Sequence, residues 1–487
     1  MNTTLVISHI LEVNILYLLA VVAVTLTSLI LRPYADLTNM NKYIKLLTPV
    51  SFLVSFYLHL VVSYFYMYNF KWASAFSNEY VIEIDTPLVY FQRGSISLDF
   101  FALVLITLAY IVGFISLTSI SDKVFWTNNK YPLIFNFFII VVILFVTCDH
   151  LFMFFIYYEF LLIPSFLIVY FSSSNQKGVQ ASIYFLIWTQ TGSTIVLSVI
   201  VLIMQVGDVS YFSDINSIEL ESNLIERTKL FLFLGFGFKI PIWPLYYWLT
   251  KTHVEATGAF SMYLSGFLVK TALYGLYKFL IVINWTEVNV FFLSIAVVGI
   301  VMSSLQMWAQ VDLKKLVALC TVQEMNLLLI CFIFGQSPIV YFGILFCFMH
   351  AILSTLMFFL VDLVQKRFGT RLTTELSGII HICPNLGLAI IFMCLCFLAL
   401  PVTLKFTCEF ALFAGIIDIS FIIFFIICSV TNWIAPIAFC KSWYGILFST
   451  PNRKYGRVLD LDFKEISIVS TCLFLLTVPC TLSVGIL

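Results

Sequence analysis

The chain has 487 residues, of which 62% are hydrophobic and only 10% charged, and its 25 basic side chains balance 25 acidic ones. A soluble globular protein carries about 25% charged residues, and a neutral chain so poor in charge offers no face to a polyanion, so a soluble enzyme and a nucleic-acid partner are both excluded. What remains is an all-α polytopic membrane protein: at about 20 apolar residues per span, the length holds some fourteen helices and little else.

In chain order, apolar runs predict spans at 10–31, 47–69, 97–120, 132–149, 150–172, 180–205, 229–250, 259–283, 288–308, 313–335, 338–364, 382–418, 419–444 and 466–487. The first run lacks a basic flank and a small-residue cleavage site, so it is expected to be a retained helix. The longest polar connections, 70–96, 206–228 and 446–464, leave no room for a nucleotide- or flavin-binding domain. Neither GxxxxGK[ST] nor a strand followed by GxGxxG occurs, so no ATP or NADH site is expected in this chain. The 12 cysteines, among them Cys394, Cys396, Cys408, Cys428, Cys472 and Cys480, lie mostly inside apolar runs without a Cys-x-x-Cys pair. Small apolar filler is their simplest role, and no disulfide framework, zinc site or iron–sulfur cluster is expected.

Lysine and arginine placement sets the expected topology. Odd-numbered connections hold clusters such as Lys366, Arg367 and Arg371, or Arg453, Lys454 and Arg457, while even-numbered ones hold only Lys71, Arg93, Arg227, Lys229 and Lys278. Basic loops stay on the inner side, which puts both termini on the outer side and supports fourteen spans. The expected organisation is a three-helix segment over 1–131, two five-helix repeats of inverted topology over 132–283 and 288–444, and a loop with the last span over 445–487.

An ionisable group in mid-bilayer costs about 2.5–3.5 kcal/mol on insertion scales. Asp149, Glu159, Lys239, Lys270, Glu324, His350, Lys405 and Glu409 all fall in or beside apolar runs. Asp149 fits an interface between two close spans, and Lys405 could snorkel to a surface. Glu324 and His350 could each hold helices together. Eight such groups of both signs favour a proton pathway, because desolvated lysines and glutamates both titrate nearer neutrality. Three sit beside helix breaks: Lys239 precedes Pro241 and Pro244, and Lys405 and Glu409 follow Pro401. Each broken helix is the fourth of its repeat, the arrangement of inverted-repeat transporters with midplane ion sites.

Four segments carry a resemblance: FGFKIPIWPLYYWLTKTHVEATGAFSMYLSGFLVKTALYGLYKF, QVDLKKLVALCTVQEMN, MHAILSTLMFFLVDLVQKRFGTR and CDHLFMFFIYYEFLLIPSFLIVYF. They resemble the antiporter-like, proton-pumping subunit family of respiratory complex I, the NADH:ubiquinone oxidoreductase, in the subunit 4 branch of the mitochondrial form. The resemblance covers about residues 90–415. It implies a channel without cofactor of its own, in a multi-pass protein of the mitochondrial inner membrane, with NADH, FMN, iron–sulfur clusters and ubiquinone held elsewhere in the complex. Its implied partners are the other membrane-arm subunits and membrane lipids. By the same resemblance Glu159 pairs with Lys239, Lys270 is the central relay lysine, His350 a relay histidine, and Glu409 the exit group. The chain departs from the pattern at Tyr246, at Thr250-Lys251, at Glu324, where the family has histidine, and at Lys405, where it has a small residue. The i,i+4 spacing of Lys405 and Glu409 puts them on one helix face, so the exit site is expected to be a pair, and Glu324 could do the histidine's work. An Mrp-type or stand-alone cation/proton antiporter shares this architecture and is the alternative.

Overall fold

A computed structural model describes residues 10–11, 13–23, 50–64, 98–120, 130–172, 176–215, 222–283, 289–335, 337–451 and 458–483. Helix falls within each of the fourteen apolar runs. In order these are α1 (Val13–Ala23), α2 (Val50–Tyr64), α3 (Phe100–Ser119), α4 (Lys130–Thr147), α5 (Leu151–Tyr170), α6 (Gln176–Gly207), α7a (Ser222–Gly237) and α7b (Tyr247–Glu255). They continue with α8 (Gly258–Val282), α9 (Val290–Met307), α10 (Leu313–Phe334), α11 (Ser337–Phe368), α12a (Pro384–Phe397), α12b (Leu404–Ile419), α13 (Phe421–Phe448) and α14 (Phe463–Ser483). Eight of these helices are long and apolar enough to cross a membrane by that measure alone. No strand occurs among the described residues, only two isolated bridges. The fold is therefore the expected all-α membrane architecture.

The chain divides into two compact units, residues 1–167 with 193–231, and residues 168–192 with 232–487. In the first unit a buried polar knot joins three helices. Asn14 of α1 donates to the Ser55 carbonyl of α2 and to the Tyr110 hydroxyl of α3, each at 3.3 Å, and the Ser55 hydroxyl returns a bond to Asn14 Oδ1 at 2.6 Å. The Ser55 and Tyr110 hydroxyls also bond directly. In an apolar surround each of these groups must find a protein partner. The start of α5 is held similarly: His150 Nδ1 caps it by accepting from the Phe152 and Met153 amides at 3.2 and 3.4 Å. Backbone bonds run from Leu151 to Ser210 and from Phe212 to Asp149, both 2.9 Å, and the Asp149 carboxylate accepts from the Ser213 hydroxyl at 3.0 Å. Asp149 is thus a joint between segments, in keeping with its expected place at a boundary.

In the second unit α10 is the central element. Every residue of its apolar span is buried, and it packs on α7b, α9 and α11. Such all-round burial explains why α10 is apolar on every side. Its few polar groups, Thr321, Gln323, Glu324 and Asn326, face protein.

Both breaks occur where proline forbids continuation. After α7a the chain runs through residues 238–246, with a cis bond between Trp243 and Pro244. Two freed carbonyls are satisfied by side chains: Trp248 Nε1 donates to Phe238 O at 2.8 Å, and Asn326 Nδ2 to Pro241 O at 3.1 Å. Between α12a and α12b, Ala399 adopts φ 54°, a left-handed conformation that costs a non-glycine residue about 1–2 kcal/mol, and Thr403 caps the restart. Two π turns were not expected from the sequence, at Leu264–Leu268 within α8 and Val430–Ile434 within α13. The breaks lie in α7 and α12, and a π turn lies in the helix that follows each, α8 and α13. A further interruption splits α5 at Leu161, two residues after Glu159; Pro164 there has no N–H for the carbonyl of residue 160.

Candidate functional site

Six of the seven predicted site residues belong to the second unit: Lys239, Lys270, Glu324, His350, Lys405 and Glu409. All six are almost completely buried. Glu159 belongs to the first unit and is partly exposed.

Lys239 occupies the α7 break itself. Its amide still donates to the Phe236 carbonyl at 3.0 Å, a tightened last turn, so its side chain leaves the helix where the regular bonding ends. Lys270 follows the π turn of α8, and its ammonium donates to the Ser265 carbonyl inside that turn. A π turn withdraws carbonyls from the ordinary i→i+4 ladder, and here one of them becomes a ligand for a buried cation. The Ser265 hydroxyl bonds to the Thr321 hydroxyl of α10 at 3.0 Å.

Three helices then build a compact cluster. Lys405, on the first turn of α12b, places its ammonium 2.7 Å from Glu324 Oε1 of α10 and 3.6 Å from Glu409 Oε1 one turn along its own helix. The same ammonium donates to the Phe397 carbonyl at the end of α12a, at 3.0 Å, and lies 4.0 Å from the centre of the Phe397 ring. On the far side of Glu324, Oε2 is 3.8 Å from His350 Nε2 of α11. The α12 break makes this possible, because only where α12a has ended is a backbone carbonyl free to take the ammonium. The expected pair of Lys405 and Glu409 is present, but the shorter contact of Lys405 is with Glu324. Lys405 does not snorkel to a surface. It is 3% exposed, and its charge is neutralised internally.

A second polar network lies where α7b, α8, α10 and α11 have their ends. Arg371 Nε pairs with Asp312 at 2.8 Å and its Nη1 donates to Val254 O at 2.7 Å. Lys314 Nζ donates to Ala256 O at 2.8 Å, and Lys366 pairs with Asp362 at 2.6 Å. His253 is fully buried and stacked on Phe358, with ring centroids 4.5 Å apart, within electrostatic reach of both Lys314 and Lys270.

A family model described as NADH:quinone oxidoreductase/Mrp antiporter, TM matches residues 148–435, a range that contains every residue of the cluster. NADH-ubiquinone oxidoreductase chain 4 of Paramecium tetraurelia is 40% identical over 427 residues, covering 86% of this chain and 90% of that one. The chain belongs to this family. The Arabidopsis thaliana protein of the same name is 31% identical over 274 residues, covering 54% of each chain. Among solved structures, respiratory complex I from Thermus thermophilus with bound NADH has a chain that superposes with a TM-score of 0.76 at 17% identity, covering 95% of this chain and 94% of that one. The Mrp complex from Dietzia sp. DQ12-45-1b gives the same TM-score at 18% identity, with 90% and 81% covered. At such identities these two establish the fold alone.

Within the NADH-ubiquinone oxidoreductase chain 4 family the candidate site is the buried cluster together with the two interrupted helices, α7 and α12. Sequence reasoning passed over three residues of it. His253 lies in the quoted HVEA segment but was given no role. Lys314 and Asn326 lie in the quoted QVDLKKLVALCTVQEMN segment, likewise without a role. Only the burial of a lysine head against Ala256 O, and of an amide against a break carbonyl, sets them apart, and neither is visible in local sequence.

Proposed function

We propose that this chain is a proton-translocating, antiporter-like subunit of the membrane arm of respiratory complex I, in the mitochondrial inner membrane. It would work beside other membrane-arm subunits and lipids, as part of an enzyme that oxidises NADH and reduces ubiquinone. The chain itself would do no redox chemistry; NADH, FMN, iron–sulfur clusters and ubiquinone would belong to other subunits. The observation that carries this reading is the buried series of titratable groups on interrupted helices, Lys239, Lys270, Glu324, His350, Lys405 and Glu409, in a chain of this family.

Protons would enter from the inner side near Lys239. They would pass by Lys270, Glu324 and His350, and leave at Lys405 and Glu409. Pairing and unpairing of Glu159 with Lys239 would drive the transfer. A hundredfold change in a lysine's proton affinity is worth about 2.7 kcal/mol, and moving one charge against 100 mV costs about 2.3 kcal/mol. One such switch is therefore large enough. The test is Lys239→Ala and Glu159→Ala in the assembled complex, with NADH oxidation and proton uptake measured together in sealed vesicles. The expected outcome is assembly without proton translocation. Normal pumping in either variant sinks the reading.

A further inference from the structure

The two repeats place opposite charges at matching positions. In the first, Glu159 is on the second helix, α5, and Lys239 is at the break of the fourth, α7. In the second, Glu324 is on the second helix, α10, and Lys405 is beside the break of the fourth, α12. There the two side chains meet at 2.7 Å. We propose that the second repeat contains its own glutamate–lysine switch, in which the Lys405 ammonium moves between Glu324 and Glu409 and each move passes one proton toward the exit. This deepens the proposed function and rests on it.

The charge count within the cluster is the argument. One ammonium lies between two carboxylates, and all three side chains are about 5% exposed or less. Two carboxylates and one cation leave one negative charge, and an uncompensated buried charge is too costly to keep. The cluster reaches neutrality with one proton. The groups facing it are His350 from α11, 3.8 Å from Glu324, and Lys270 from α8, which acts on Glu324 from beyond contact distance. The short contact marks Glu324 as the ionised partner, and the 3.6 Å contact leaves Glu409 to hold the proton. A proton reaching Glu324 from Lys270 by way of His350 neutralises that carboxylate and releases the ammonium. Lys405 then turns to Glu409 and displaces its proton outward. When the proton on Glu324 passes to Glu409, the ammonium returns. One proton enters and one leaves per cycle, and the cluster's charge is unchanged at the end. The Phe397 carbonyl and ring hold the ammonium from the side, so it needs only a short swing and remains ionised throughout.

Two variants separate this switch from a fixed strut. Lys405→Arg keeps the positive charge, but a guanidinium fork grips both carboxylates at once. A strut would be served equally well by it, whereas a moving cation would be locked. The paired change Glu324→Gln with Lys405→Met removes both charges without leaving one stranded. Each is assayed in the intact complex in sealed vesicles, beside Lys239→Ala, for protons translocated per NADH oxidised. Both are expected to fall to the level of Lys239→Ala. A wild-type ratio in Lys405→Arg, or in the paired variant, overturns the second switch when Lys239→Ala is itself inactive. Wild-type pumping in Lys239→Ala overturns the proposed function instead, so the two failures are distinct. If the paired variant does not assemble, the arginine variant decides.

Discussion

At the scale of single residues, three buried lysines of the second unit each come with a partner of a particular kind. Lys270 is satisfied by a carbonyl of a π turn, Lys314 by the Ala256 carbonyl, and Lys405 by two carboxylates and a carbonyl. Carbonyl ligation holds a lysine without fixing its charge, whereas carboxylate pairing fixes it, so the first two differ in kind from the third. His150 lies just before the apolar helix that starts at Leu151, and it makes a separate prediction. It caps α5 through an unprotonated Nδ1, and desolvation, opposed by Asp149, holds it below its ordinary value of 6.5. The folded state therefore binds this proton less readily than the unfolded state does. The cap's contribution is complete above pH 6.5 and is lost as the pH falls through the folded-state value. His150→Asn keeps an acceptor at the cap and removes the titration. Protection factors of the amides of residues 152–154, with the intrinsic pH dependence of exchange divided out, should fall toward about pH 5 from about pH 8 in the native chain and stay flat in the asparagine variant.

At the scale of elements, the interruptions decide where charge can be held. The α7 break is braced from α10 by Asn326, and α9 makes room for that amide with a glycine. A Cβ at Gly299 would lie 2.5 Å from Asn326 Oδ1. Gly299→Ala should cost about 1–3 kcal/mol by overpacking and push the amide off Pro241 O. Faster hydrogen exchange over residues 238–246, with a lower thermal midpoint for the complex, is the expected reading; unchanged exchange there would mean that the break supports itself. The breaks at Pro241 and Pro401 were legible because proline removes a donor wherever it stands. The π turns were not, since nothing in LSGFL or VTNWI differs from ordinary helix, and the register shift comes from packing. The i,i+4 pair of Lys405 and Glu409 followed from helix geometry. The pairing of Lys405 with Glu324 did not, because those two residues are 81 positions apart and only the crossing of α10 with α12b joins them.

At the scale of the whole molecule, composition alone settled the class, and hydropathy located the fourteen runs in which helix is found. Hydropathy could not rank those helices by position. The buried residues of α10 and the lipid-like outer residues of α13, such as Phe421 and Ile422, are equally apolar. The second unit is tied at one end by Arg371, which joins the last turn of α7b to the start of α10 just beyond the end of α11. At the same end Arg367 pairs with Glu465 and holds Leu459 O and Asp460 O, while the Asp460 carboxylate caps α12a at Asn385 and Leu386. Arg371→Ala should lower stability by about 2 kcal/mol, the worth of its charged hydrogen bonds, as read by the thermal midpoint of the purified complex. An unchanged midpoint would reduce it to a surface contact.

The complete enclosure of α10 also bears on how the chain is made. A helix carrying Glu324 leaves the ribosome well before the lysine that neutralises it, for Lys405 follows 81 residues later. At about 5–20 residues per second, that interval is roughly 4–16 s. α11 emerges within that interval, but α12b does not, so until then Glu324 has α9 and α11 beside it and no cation from α12b. The Glu324–Lys405 ion pair therefore forms only when α12b arrives. The arrival of α12b, with α13 and α14 still to follow, is then the step that completes the central cluster.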